Sequence, residues 1–292
     1  MISPVMMEER GLVGLMLTLK EREIKRVVKA GYARIAKQAT SEYASRCCLG
    51  EADAQEEMSK RMGYTDEEIQ AAPPESNLGL GCGNPVALAS ISEGEIVLDM
   101  GAGAGFDCFL ASNRVGASGK VIGVDITSEM VEKARVNCRN GGYTNIDFRQ
   151  GDLENMPVAD EYVDVVISNC VINLIPNKRL AFREAFRVMK PGGRLAVSDV
   201  VLLKELPQFV KNCTEAYISC LSGAIMKEDY IDIIKGVGFK DVRLVAESRF
   251  PVESLIFESS GCSACGDPEI TPEQEKEIRD SVLSIKVTAV KP

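Results

Sequence analysis

Ten cysteines and no histidine define the chemistry open to this chain of 292 residues. Without imidazole there is no histidine general base and no histidine-ligated zinc. A zinc site of four cysteines wants two close pairs. Here only Cys262 and Cys265 are spaced C-x-x-C, and Cys47 and Cys48 are adjacent. The thiols therefore either fill core or do thiolate chemistry. The second reactive feature is the stretch Glu95 to Asp125, in which an apolar run ends in Asp99, three glycines follow at Gly101, Gly103 and Gly105, and a second apolar run ends in Asp125. Glycines at alternate positions allow positive φ and a close approach of backbone to a ligand. They lead into a helix N-terminus, where free N–H groups favour an anionic group. Asp125, 20 residues beyond Gly105, can accept both hydrogen bonds of a ribose diol, the spacing expected of a nucleoside site.

The glycine pattern is G-x-G-x-G, with Asp99 two residues before the first glycine. A dinucleotide site would want G-x-G-x-x-G, and Phe106 holds that last position. The difference favours S-adenosyl-L-methionine over NAD or FAD; a tight turn that binds nothing is the plain alternative. The expected cofactor contacts are Asp99, Gly101, Gly103, Gly105, Asp125, Ile126 and Asn169. Asp152 and Leu153 border the adenine, or else Asp152 and Glu154 are solvated turn acids. Tyr32 either reaches the methionine carboxylate or packs within its helix.

Strands are expected at 95–100, 120–125, 145–150, 163–168 and 193–201, with helices at 106–115, 127–141, 178–190, 207–222 and 227–236. Such alternation predicts a parallel sheet covered on both faces, with ligands at the carboxyl ends of the strands. Asp99, Asp125, Asp152 and Asn169 all fall at or just past strand ends. Lys190 to Gly193, KPGG, reads as the turn into the fifth strand. Further strands are expected near 239–246 and over 283–290. Cys213 and Cys220, seven apart, share a face of the 207–222 helix.

Upstream, residues 21–48 read as a helix with Ile24, Val27, Val28, Ile35 and Ala36 near one face, a stripe that Tyr32 and Tyr43 break. Residues 1–20 are either a short helix or a frayed arm. Thr65-x-x-Glu68 is a capping box, Pro73 and Pro74 stop that helix, and Pro85 starts another. The fold class is thus α/β: a Rossmann-like sheet with helices on both faces. It carries an N-terminal helical segment (1–74), a cofactor-binding domain (75–201) and a smaller α+β C-terminal domain (202–292).

Bulk properties narrow the setting. Apolar residues make up 45% and charged residues 26%, ordinary for a globular protein. A net charge of −9 repels phosphate and argues against nucleic acid as a partner. No run of 18 apolar residues suggests a membrane span, and Gly11 to Lys20 lacks the basic flank and cleavage site of a signal peptide. A cytoplasmic location is the expectation.

From about Val27 to Pro292 the chain resembles the arsenite S-adenosylmethionine methyltransferases. VLDMGAGAG, VIGVD, GDLENMPV and RVMKPGG match S-adenosylmethionine methyltransferases generally. LGLGCGNPVALA around Cys82, ISNCVINLIPNK around Cys170 and YISCLSGAI around Cys220, which places the last in the later helix, narrow the resemblance to the arsenite enzymes. It implies that Cys82, Cys170 and Cys220 bind arsenic(III), a soft centre suited to thiolates. It also implies that Cys48 joins the thiol–disulfide steps, and that thioredoxin or glutathione serves as reductant. Cys213, Cys262 and Cys265 lie outside the shared core. Cys108 and Cys138 read as core. Two rival functions stand beside methylation of arsenite: a related methyltransferase of a small organic acceptor, and a non-catalytic thiol-rich protein that binds soft metals.

Overall fold

A computed structural model describes residues 4–38, 52–250 and 271–292. Cys48, Tyr43, Cys262 and Cys265 lie outside the described residues. The centre of the fold is a seven-stranded sheet in the order β3-β2-β1-β4-β5-β7-β6. Its strands are β1 (Ile96–Met100), β2 (Lys120–Asp125), β3 (Ile146–Gln150), β4 (Val163–Asn169), β5 (Met189–Leu202), β6 (Lys240–Arg249) and β7 (Val282–Val290). The first five run parallel, and β7 inserts antiparallel between β5 and β6.

The parallel strands read as apolar runs because both faces are covered. Val97 faces one layer with Phe109, Val131 and Ile278. Leu98, the next residue, faces the other with Phe182, Tyr230 and Phe239. The first layer carries α4 (Pro85–Leu88), α5 (Phe106–Val115) and α6 (Ser128–Asn140); the second carries α7 (Lys178–Val188) and α10 (Lys227–Val237). The strand order reverses at β1, between β2 and β4, which opens a crevice at the carboxyl ends of those strands.

Three expectations are corrected. Lys190 to Gly193 is not a turn before the strand: β5 already begins at Met189, and the pairing with β4 shifts register between Val163↔Met189 and Val165↔Arg194, so KPGG is absorbed as a bulge. The 207–222 helix is two short ones, α8 (Gln208–Lys211) and α9 (Thr214–Ile218). Cys213 is the N-cap of α9, its sulfur accepting from Ala216 N–H at 3.5 Å, and Cys220 lies beyond the helix end, so the two share no helix face. Tyr32 does not break the apolar stripe of α1 (Pro4–Gln38) but packs with it, beside Val28 and Ile35. The helix itself runs unbroken from Pro4. The segment beyond residue 202 supplies β6 and β7 to the common sheet, β7 pairing with β5 from Arg194↔Val290 to Leu202↔Val282.

Candidate active site

The crevice is a cleft of about 430 Å³. One end is formed by the turn between β1 and α5. Gly101, Gly103 and Gly105 all have positive φ, at 76°, 52° and 98°, but for different neighbours. A side chain at Gly101 would strike Val171, and one at Gly105 would strike Phe148 and Phe109; at Gly103 nothing stands within 4 Å. Gly103 therefore faces the cleft, and Gly105, which does not line it, serves helix packing.

Asp125 ends β2 and is 9% exposed. One carboxylate oxygen accepts from Gly103 N–H at 3.0 Å, the other from Thr127 N–H at 2.8 Å. Each oxygen keeps a lone pair for a ligand hydroxyl. Asp99 and Asp107 stand beside it, both buried. Burial pushes the Asp99 carboxyl well above its usual range, with Asp107 adding to the effect. Burial likewise raises Asp107 to about 6, against hydrogen bonds from Tyr64 and Asn169 that pull it down. Cys108 Sγ donates to Asp99 at 3.2 Å, so this core thiol also satisfies a carboxylate. Ile126, Asp152, Leu153 and Asn169 also line the cleft. Three buried carboxylates around an open glycine turn suit a cationic nucleoside such as S-adenosylmethionine.

At the other end three thiols from three segments converge. Cys82 is 2% exposed and Cys220 3%; Cys170 is half-buried and, with Cys220, lines the cleft. The Cys220 thiol donates to the Cys170 carbonyl at 2.7 Å. Cys170 and Cys220 have φ of 56° and 65°, left-handed values that cost a non-glycine residue about 1–3 kcal/mol when held in place by their surroundings. Burial raises the Cys82 thiol above its ordinary value, although Cys170 partly lowers it. At Cys170 the Cys220 contact pulls downward, but the Cys82 contact and burial leave the thiol well above normal. At Cys220 the Cys170 contact and burial push the same way.

Asn169 ties the two ends together. Its Oδ1 accepts from Cys82 N–H at 3.1 Å, while Nδ2 donates to Tyr64 Oη at 2.9 Å, Gly83 O at 2.9 Å and Asp107 Oδ2 at 3.0 Å. Its carboxamide thus joins the Cys82 loop to α5. From α1, Tyr32 lines the cleft and donates to Ile218 O at 3.3 Å. Lys25 pairs with Asp152 at 2.6 Å and with Glu154, so α1 lies across the cleft. Sequence reasoning missed Tyr64, Asp107, Lys25 and the buried set Asp199, Asn173 and Lys178. Only Asp199 left a signal: like Asp99 and Asp125, it is an acid within an apolar strand.

The family model described as "Methyltransferase domain" matches residues 91–238. Arsenite methyltransferase of Halobacterium salinarum is 46% identical over 203 residues, covering 70% of this chain and 51% of the relative. The human arsenite methyltransferase is 29% identical over 248 residues, 82% of this chain and 64% of the relative. The chain spans about half to two thirds of the length of these curated relatives. The crystal structure of an arsenic(III) S-adenosylmethionine methyltransferase from Chlamydomonas reinhardtii superposes with a TM-score of 0.60 at 31% identity, covering 80% of this chain and 73% of that one.

Proposed function

The chain belongs to the arsenite methyltransferase family, and on that premise we propose that it methylates trivalent arsenic held by Cys82, Cys170 and Cys220, giving methylarsenicals in a detoxification reaction. The observation that carries the reading is that Cys170 and Cys220 line one end of a cleft whose other end is the glycine turn and Asp125, with the sulfur of Cys82 within 4.8 Å of that of Cys170. Gly101, Gly103, Asp125 and Ile126 would hold S-adenosylmethionine, with Asp152 and Leu153 at its edge and Asn169 bracing that end of the cleft against the Cys82 loop. When bound, it supplies a sulfonium methyl whose leaving group is already activated, so no general base is needed.

The thiols displace the three oxygens of arsenous acid: each As–S bond forms as an As–O bond breaks, and each thiol proton leaves in water. Arsenic keeps its lone pair as the nucleophile, and Tyr32 and the apolar wall around Leu174 keep water from it. Two of the bound thiolates can return arsenic from the pentavalent to the trivalent state by coupling as a disulfide: their two As–S bonds break, one electron pair forms the S–S bond and the other stays on arsenic, and water takes the vacated place with loss of one proton. An external dithiol, the thioredoxin or glutathione system, then clears that disulfide by exchange. Cys48 is proposed to join this exchange. Among the described residues no helix is long and apolar enough to cross a membrane, and a cytoplasmic location is part of the proposal.

The test is arsenic speciation after incubation with arsenite, S-adenosylmethionine and a reductant. Methylated arsenic is expected from the native chain and none from Cys170→Ser. Absence of methylated arsenic from a native chain that still binds the cofactor would overturn the reading in favour of an organic acceptor.

A further inference from the structure

Behind the thiols lies a carboxylate that methylation does not use. Asp199, fully buried in β5, places an oxygen so that it and the sulfurs of Cys82 and Cys170 all lie within 4.8 Å of one another. Its orientation is set by its surroundings. Oδ1 accepts from Asn173 Nδ2 at 3.0 Å and from Val200 N–H at 2.8 Å, and Oδ2 accepts from Tyr230 Oη at 3.0 Å. Hydrogen-bonded carboxylates of this kind are typical of metal ligands, whose outer partners fix them in place. Beyond them, the buried ammonium of Lys178 donates to the carbonyls of Asn173 and Ile175 at 3.3 and 3.2 Å and puts a positive charge behind an anionic cluster.

Arsenic(III) takes three thiolates in a pyramid and has no use for a fourth ligand. Zinc(II) takes four in a tetrahedron, with Zn–S of about 2.3 Å and Zn–O of about 2.1 Å. Such distances set ligand atoms roughly 3.5–3.8 Å apart, so Cys82, Cys170 and Asp199 need to close by no more than about 1 Å, while the Cys220 thiol, now bonded to the Cys170 carbonyl, has to swing in as the fourth ligand. We propose that Cys82, Cys170, Cys220 and Asp199 also form a tetrahedral site for zinc(II), and that zinc bound there excludes arsenite. The inference rests on the thiol grouping used in the functional reading and adds Asp199 to it.

The proton balance separates the two occupants. Arsenous acid carries its own oxygens, and the three thiol protons leave with them as water. Zinc brings none, so its binding releases about three protons to solvent. Zinc affinity should therefore rise steeply with pH where arsenite affinity is nearly level.

The experiment titrates zinc(II) alone into the chain of 292 residues carrying Cys262→Ser and Cys265→Ser, which removes the one C-x-x-C pair. Proton release is followed with an indicator dye, and cobalt(II) serves as spectroscopic probe. One equivalent bound, about three protons released and a tetrahedral cobalt spectrum with thiolate charge transfer are expected. Asp199→Asn should weaken zinc by more than about tenfold while changing arsenite binding less than about twofold. Cys82→Ser should weaken both, and thermal melts establish that each variant is folded. Equal zinc affinity in Asp199→Asn and the parent, or no stoichiometric zinc in the parent, overturns the proposal. If Asp199→Asn fails to fold, the parent decides it: a tetrahedral cobalt spectrum abolished by arsenite supports the site, and one that persists with arsenite bound overturns it. Binding is read without turnover, so a chain that binds zinc here yet methylates no arsenic would sink the functional reading alone.

Discussion

Asn169 shows how much one side chain carries. Its carboxamide holds Cys82 through the backbone N–H and reaches Tyr64 and Asp107 on the cofactor side. Asn169→Ala leaves the Cys82 N–H and the Asp107 carboxylate each short of a buried partner, at a cost of about 1–3 kcal/mol in thermal or denaturant unfolding. The kinetic effect should be larger. A loop displaced by about 1 Å can cost about 100-fold in rate, and the loop displaced here carries a thiol. The expected split is a large fall in kcat/KM for arsenite with only a several-fold change in S-adenosylmethionine affinity by calorimetry. The opposite split would make Asn169 chiefly a cofactor contact. Strand-end position alone marked Asn169 in the sequence. Its partners Tyr64 and Asp107 were hidden, because a buried hydrogen-bond web spanning 105 positions leaves no periodic trace.

Helices and loops position the thiols by backbone contact. A Cβ at Gly223 would lie 2.1 Å from the Asn173 carbonyl oxygen, so the loop after Cys220 rests directly on the turn after Cys170. The obstacle is backbone and cannot rotate away. Gly223→Ala should cost about 3 kcal/mol, the upper part of the overpacking range, and should lower arsenite affinity by separating Cys220 from Cys170. A melting temperature within a degree of the native chain would refute that account. At this scale the sequence was informative where periodicity is strong: α5 spans 106–115 and β2 120–125 as expected, and the Thr65 capping box forms. It failed over 207–222. There the helical pattern is broken at Cys213, whose sulfur caps α9, and at Cys220, whose φ of 65° is imposed by tertiary packing. Propensity cannot foresee a left-handed cysteine, because its cost is repaid only by distant contacts.

For the whole molecule, charge buried around the cleft sets the response to pH. Burial raises Asp107 and Asp199 to about 6, whereas in the unfolded chain an aspartate titrates near about 4. Between those values the native state binds more protons than the unfolded one, so stability falls as pH rises through the window and is level above it. Each group contributes on the order of 1–3 kcal/mol, and the upward shifts of Asp99 and Asp125 act in the same direction. Glu95, Asp164 and Glu184 are held low in spite of partial burial by Arg194, Lys190 and Arg187, and oppose the trend only at the acid end. No histidine titrates between about 6 and 8, so nothing restores stability toward neutral pH. Denaturant unfolding at intervals from pH 4 to 8 should therefore show a maximum below pH 6 and no recovery above it. The functional corollary concerns the cationic donor. A sulfonium and an ammonium beside Asp99, Asp107 and Asp125 favour the ionised carboxylates, lowering their titration and flattening the decline. Saturating S-adenosylmethionine should therefore stabilise the chain more at pH 7 than at pH 5. An equal gain at both would mean that the buried acids do not meet the cofactor's charge.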